Sequence, residues 1–135
     1  MEAAARGRTE KPDGNGRLRV LVIDDDDAVC ELLRETLSDE GYAVATVPHG
    51  AAALELVKHH GPAVILLDLR MPIMDGWSFA EQYRRVAKPP ASLILISAIK
   101  DIEESAKRIG ASAYIRKPFE LDEVIAQIQR CVAAS

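Results

Sequence analysis

Cysteine is scarce in this chain, and the two present, Cys30 and Cys131, form neither a CxxC nor any paired metal-ligand spacing. That rules against a disulfide framework and reads as reduced thiols acting as small hydrophobes in a cytoplasmic protein. A secretory signal is lacking too, because Met1 to Arg17 carries Arg6, Arg8 and Lys11 but no apolar central stretch. No run is long and apolar enough to insert into a membrane. A basic stripe is also missing: 17 Lys and Arg stand against 21 Asp and Glu, for a net charge of −4, so direct contact with nucleic acid is not expected. There is no Gly-x4-Gly-Lys-Ser/Thr loop to cradle a nucleotide, and no internal repeat or low-complexity block.

What is there fits one domain. The 135 residues are 48% hydrophobic, enough to build a core without staples. Pro12-Asp13-Gly14-Asn15-Gly16 marks residues 1–17 as a flexible tail, leaving 18–134 as the folded unit. Five short runs have strand character: Arg19 to Ile23, Ala43 to Val47, Ala63 to Leu67, Ser92 to Ile96 and Ala113 to Ile115. Several are continuously apolar, as strands buried on both faces should be. Between and after them lie segments with helical spacing of apolar residues. Asp101 followed by Glu104 imitates a capping box, Gly41 and Gly110 stand where helices should stop, and Pro89-Pro90 closes the third helix. Alternation of this kind predicts an α/β fold, a doubly wound parallel sheet with helices on both faces.

The strongest local feature is Asp24-Asp25-Asp26-Asp27 at the end of the first apolar run. Like charges about 4 Å apart repel by roughly 4 kcal/mol at an intermediate dielectric, so the cluster calls for a cation. Asp26 and Asp27 read as residues serving the start of the first helix, whose end favours anions. Open parallel sheets bind ligands beyond the carboxyl ends of their strands. Those ends supply Asp24 and Asp25, Asp68, Ser97 and Lys117. Carboxylates suit a hard divalent cation such as Mg²⁺, with Mn²⁺ able to replace it, while a hydroxyl and an ammonium suit phosphate oxygens. Taken alone, Asp75-Gly76 reads as a turn, Trp77 and Phe79 as core or near-core residues, and the neighbouring His59 and His60 as rings that point apart.

In order and spacing, these fragments resemble the receiver domain of two-component response regulators. The carriers are Val20-Leu21-Val22-Ile23-Asp24-Asp25-Asp26, Asp68-Leu69-Arg70-Met71-Pro72-Ile73-Met74-Asp75-Gly76, Ser97-Ala98, and Tyr114-Ile115-Arg116-Lys117-Pro118-Phe119. The resemblance implies a five-stranded sheet of flavodoxin-like topology in the order 2-1-3-4-5. It also implies Asp68 as phosphoacceptor, served by a sensor histidine kinase or a histidine phosphotransfer protein. Asp24, Asp25, Asp68 and the backbone carbonyl of Arg70 would hold Mg²⁺, Lys117 and Ser97 would meet the phosphoryl oxygens, and Ser97 with Tyr114 would form a switch pair. Lys117-Pro118 resembles a family junction with a cis peptide. The domain would catalyse its own phosphotransfer and dephosphorylation without being an enzyme in the usual sense. Because the chain ends soon after the fifth helical segment, a single-domain regulator acting through a downstream protein target is expected. The short stretch from Ser97 to Gly110 suggests a truncated fourth helix. Two other readings compete: a Mg²⁺-dependent phosphohydrolase with an aspartyl nucleophile, which has Arg70 where a second acidic residue would be needed, and a docking module that is never phosphorylated.

Overall fold

Apolar residues alternate between two destinations along each central strand, and that alternation builds the molecule. A computed structural model describes residues 13–14 and 16–134. Its elements run β1 (Arg19–Ile23), α1 (Asp27–Asp39), β2 (Ala43–Val47), α2 (Gly50–His60), β3 (Val64–Leu67), α3 (Gly76–Val86), β4 (Ser92–Ser97), α4 (Ile102–Ile109), β5 (Ala113–Arg116) and α5 (Leu121–Ala133). All strand pairs are parallel, in the order β2-β1-β3-β4-β5. The α/β class and the strand order expected from the sequence are both present. β3 begins at Val64 rather than Ala63, although Ala63 already donates its N–H to Arg19 O at 2.8 Å. β4 and β5 each run one residue further than expected, to Ser97 and Arg116. Most of the tail, residues 1–12 and 15, lies outside the described residues. Next to it, Asp13 and Arg17 close a turn through an ion pair of 3.0 Å.

Successive side chains of a strand point to opposite faces. Leu21, Ile23, Ile65, Leu67, Leu93 and Leu95 face one way and pack with Ala53 of α2, Phe79, Ala80 and Tyr83 of α3, and Ile102, Ala106 and Ile109 of α4. Val20, Val22, Val64, Leu66, Ile94 and Ile96 face the other way, onto Leu33 and Leu37 of α1 and Val124 and Ile128 of α5. Helices therefore cover both faces, and β1, β3 and β4 are enclosed.

The helix ends show which local signals were sufficient. Asp26 caps α1, its Oδ1 accepting from Ala28 N at 2.9 Å and Val29 N at 3.3 Å. Asp75 is a helix cap rather than only a turn residue, accepting from Ser78 N at 2.8 Å. His49 caps α2 through Nδ1, which accepts from Ala52 N at 3.2 Å. The capping box expected at Asp101 does not form: the residue sits at the N-cap of α4 with ψ 43° and makes no side-chain cap bond. A capping side chain reaches back from extended backbone, and this ψ is not extended. α4 has eight residues, against eleven or thirteen in the other helices.

Candidate functional site

Strand register delivers the acidic residues to one rim. Ile23 pairs with Leu67 and Leu67 with Leu95, so Asp24 and Asp68 leave the sheet side by side. The ladder extends one step beyond the strands: Asp24 N donates to Val47 O at 3.1 Å, Asp68 N to Ile23 O at 2.9 Å and Lys117 N to Ser97 O at 3.0 Å. Gly76 holds the following loop tight. A Cβ there would collide with the carbonyl oxygen of Asp68 and sit 2.8 Å from Leu69 Cα, so only glycine permits this approach.

Asp24, Asp25 and Asp68 each offer a carboxylate oxygen, all within 4.8 Å of one another. Asp24 and Asp68 are buried at 3% and 8% exposure, whereas Asp25 is exposed. The cation demanded by the crowding is already partly supplied by the protein: Lys117 Nζ donates to Asp24 Oδ2 at 2.8 Å and Asp68 Oδ2 at 3.1 Å. Burial pushes the Asp24 carboxyl above its usual range, with the Asp68 charge adding to it, against the opposing bonds from Lys117 and the Asp26 N–H. Burial alone would lower Lys117, but its bond to Asp24 and the charges of Asp24 and Asp68 outweigh that and raise it. The ammonium is thus held charged between two carboxylates. The remaining oxygens are also engaged: Asp24 Oδ1 accepts from Asp26 N at 2.9 Å and Asp68 Oδ1 from Leu69 N at 2.7 Å. The peptide Lys117-Pro118 is cis.

Cys30, read from sequence as a small hydrophobe, reaches this site. Its Sγ donates to the Asp24 carbonyl at 3.2 Å, and burial together with Asp24, Asp27 and Asp26 pushes the thiol up to about 11. It is a spectator thiol, protonated at neutral pH. Its position four residues after the N-cap was the available signal, but spacing alone does not say which side chain turns towards the rim.

The other expected residues are placed as follows. Ser97 is buried at the end of β4, its Oγ accepting from Ile99 N at 3.4 Å. Tyr114 is turned outwards at 36% exposure, lining a groove with Glu103, Lys107, Gln127 and Arg130. Arg70 is exposed and lines the mouth of the acidic site with Asp25, Met71, Pro72, Asp75 and Trp77. Trp77 also donates from Nε1 to Ser105 Oγ at 3.2 Å, tying α3 to α4. Phe79 is fully enclosed, while Trp77 is half-buried. On the same loop, Met74 N donates to Pro72 O at 2.7 Å, a three-residue turn that puts Ile73 at φ 68°. A β-branched residue in the left-handed region costs about 1–2 kcal/mol.

Comparison with known proteins agrees with the fold. A family model described as response regulator receiver domain matches residues 20–129. The response regulator MprA of Mycobacterium leprae is 38% identical over 114 residues, covering 83% of this chain and 50% of that protein. The DNA-binding transcriptional regulator NtrC of Escherichia coli is 34% identical over 116 residues, 84% of this chain but 24% of NtrC. The chain therefore spans half or less of the length of these relatives. Among solved structures, response regulator TrrA of Thermotoga maritima, in complex with Mg²⁺ and a beryllium fluoride, aligns with a TM-score of 0.75 at 31% identity over 84% of this chain and 98% of that one. A CheY-like receiver domain protein of Methanospirillum hungatei gives 0.81 over 87% and 95% at 24% identity, a likeness of fold. The chain belongs to the response regulator receiver domain family, the signalling domain of two-component systems. Among the described residues, no helix is long and apolar enough to cross a membrane.

Proposed function

We propose that Asp68 accepts a phosphoryl group from a phosphohistidine of a sensor histidine kinase or a histidine phosphotransfer protein, in a Mg²⁺-dependent reaction. The observation that carries this is the pairing of two buried carboxylates, Asp24 and Asp68, through the single ammonium of Lys117, with a third and exposed carboxylate, Asp25, beside them. Three acceptor-only oxygens within 4.8 Å form a donor set for a hard cation and not for a soft one. Asp25, Asp68 and the backbone carbonyl of Arg70 would hold Mg²⁺ or Mn²⁺. Asp24 would support the ion directly or through a water. When bound, the ion would neutralise charge on the phosphoryl oxygens.

In the transfer, an Asp68 oxygen forms the new O–P bond as the P–N bond of the donor breaks. The electron pair stays on the imidazole nitrogen, and the ring leaves neutral because its other nitrogen keeps its proton. Little covalent work is asked of the protein, so positioning and charge stabilisation dominate. Lys117 shifts from the carboxylates onto a phosphoryl oxygen. The Ser97 hydroxyl, which at present only accepts, retains its own proton to donate to another. Attack of water on the aspartyl phosphate later returns inorganic phosphate and the carboxylate.

Output follows from that last contact. Drawing Ser97 towards the phosphoryl group vacates space behind it, and Tyr114, now outward, turns in, changing the surface of α4, β5 and α5 that a target protein reads. This reading concerns residues 18–134 as the receiver unit, with 1–17 as a tail, acting in the cytoplasm without direct contact with nucleic acid. The aspartyl-nucleophile hydrolase alternative has Arg70, an exposed guanidinium, where it needs an acid.

The test is chemical phosphorylation. With Mg²⁺ and phosphoramidate, the protein is expected to gain one phosphoryl group on Asp68, with Asp68→Asn and chelation of Mg²⁺ each abolishing the gain. Undiminished labelling of Asp68→Asn would sink the assignment.

A further inference from the structure

Ile73 is held in a conformation that its own side chain disfavours. At 80% exposure it is the most exposed of the large hydrophobic residues among the described residues. Its φ of 68° is one that glycine would adopt without penalty. The turn around it is nevertheless pinned. Met74 N bonds Pro72 O, Met74 O accepts from Gly50 N at 3.0 Å, and Gly76 N donates to Leu69 O at 2.9 Å. Asp75, two residues on, is fixed as the cap of α3. The result is a rigid apolar knob, with Pro72 exposed beside it.

The knob stands at the entrance to the acidic site. Pro72 lines that mouth together with Asp25, Arg70, Asp75 and Trp77, and Asp68 lies at 8% exposure behind it. Ile73 is not among the residues that line this mouth, so a small donor entering it need not meet Ile73. A protein bearing phosphohistidine has to bring its surface down onto the loop.

We propose that Ile73, backed by Pro72, is a docking knob for the protein phosphodonor, seating in an apolar depression next to the donor's phosphohistidine. This rests on Asp68 being the phosphoacceptor. An exposed side chain carried on a strained and pinned backbone suits recognition, because little backbone freedom remains to be lost on binding. Its contact is made equally before and during transfer, so its loss raises KM and leaves kcat alone.

The experiment compares two donors with the same P–N bond. One is the phosphorylated histidine domain of a sensor kinase, selected as the fastest donor to the unmodified chain; the other is phosphoramidate, which has no protein surface. Ile73→Gly removes the knob and relaxes the turn, so the protein stays folded. Its kcat/KM with the kinase domain is expected to fall about ten-fold, mainly through KM. Labelling by phosphoramidate is expected to be unchanged. Ile73→Leu, which keeps an apolar knob, is expected to restore transfer from the kinase domain. Equal rates for Ile73→Gly and the unmodified chain with the kinase domain overturn the proposal. So does an equal loss with both donors, which would mean that the loop acts on the geometry of the site. Absence of phosphoramidate labelling on Asp68 in the unmodified chain overturns the phosphoacceptor reading itself, and this inference with it.

Discussion

The acidic rim and the α4–β5 side adjoin each other at Ser97 but are held together in opposite ways. In the rim, Asp24, Asp68 and Lys117 have side chains only 4%, 10% and 20% exposed, joined by bonds of 2.8 and 3.1 Å and backed by two backbone N–H groups. Across Ser97 the fastenings are few. The hydroxyl has a single 3.4 Å bond, α4 is short and lacks a side-chain cap bond, and Tyr114 lies open on a groove of about 560 Å³. The buried Ile102, Ala106 and Ile109 and the Trp77–Ser105 bond tie α4 to the body. Chemistry needs groups that do not move, whereas a signal needs an element that does, and moving elements come from the weakly held end of the stability range. The tightly and the loosely fastened regions are separated by a single strand end.

The largest test of this contrast is to remove the rim's own cation. Lys117→Met leaves two buried carboxylates facing each other and is expected to lower metal-free stability by roughly 2 kcal/mol. That is less than for a fully enclosed pair, because Lys117 retains some solvent. The midpoint of urea unfolding reads this, and Mg²⁺ should recover part of it. An unmoved midpoint would mean that the rim is no more tightly held than its neighbour.

The opposite sign is expected for Asp24→Asn. Burial raises the Asp24 carboxyl, so its charged form is less favoured in the folded chain than in the unfolded one. Neutralising it should raise metal-free stability by about 1 kcal/mol, or about 4 °C in melting temperature. The stabilisation gained on adding Mg²⁺ should shrink in the same variant. Melting curves with and without Mg²⁺ separate the two effects, and a variant that melts lower without metal would refute the crowding argument.

The smallest effects sharpen the contrast between helix starts. Asp75→Ala should cost about 1 kcal/mol, since it removes the bond to Ser78 N, whereas Asp101→Ala should cost less than about half of that. Equal losses in chemical denaturation would show that α4 is capped in solution after all.

Much of this was legible in the chain. β-branched and leucine runs marked β1, β3 and β4 because strands enclosed on both faces have no polar side to show, and Asp26 announced its helix by its place after an apolar run. The site residues were legible as a set because parallel strands bring their carboxyl ends to one edge. Less legible were the contacts. Asp101 carried the residue types of a capping box, but the backbone entering α4 turned away from extended geometry. His49 gave no sign of capping α2, since a ring nitrogen serves only when the backbone presents it. Cys30 read as core filler yet reaches the Asp24 carbonyl. Nothing in the sequence around Ile73 marks its backbone conformation, and its φ of 68° is a fact of the structure.

By itself, the sequence determined the α/β alternation, the strand limits to within a residue and the presence of three carboxylates, a hydroxyl and an ammonium at strand ends. These follow from local periodicity and from the direction of the chain. Tertiary structure decided which oxygen each group meets: that Lys117 bridges Asp24 to Asp68, that both Asp24 oxygens are engaged while Asp25 stays in solvent, and that Tyr114 faces out. Such choices depend on register between strands distant in the chain and on burial, which sets the strength of a charge interaction, and neither is a property of a residue and its sequence neighbours.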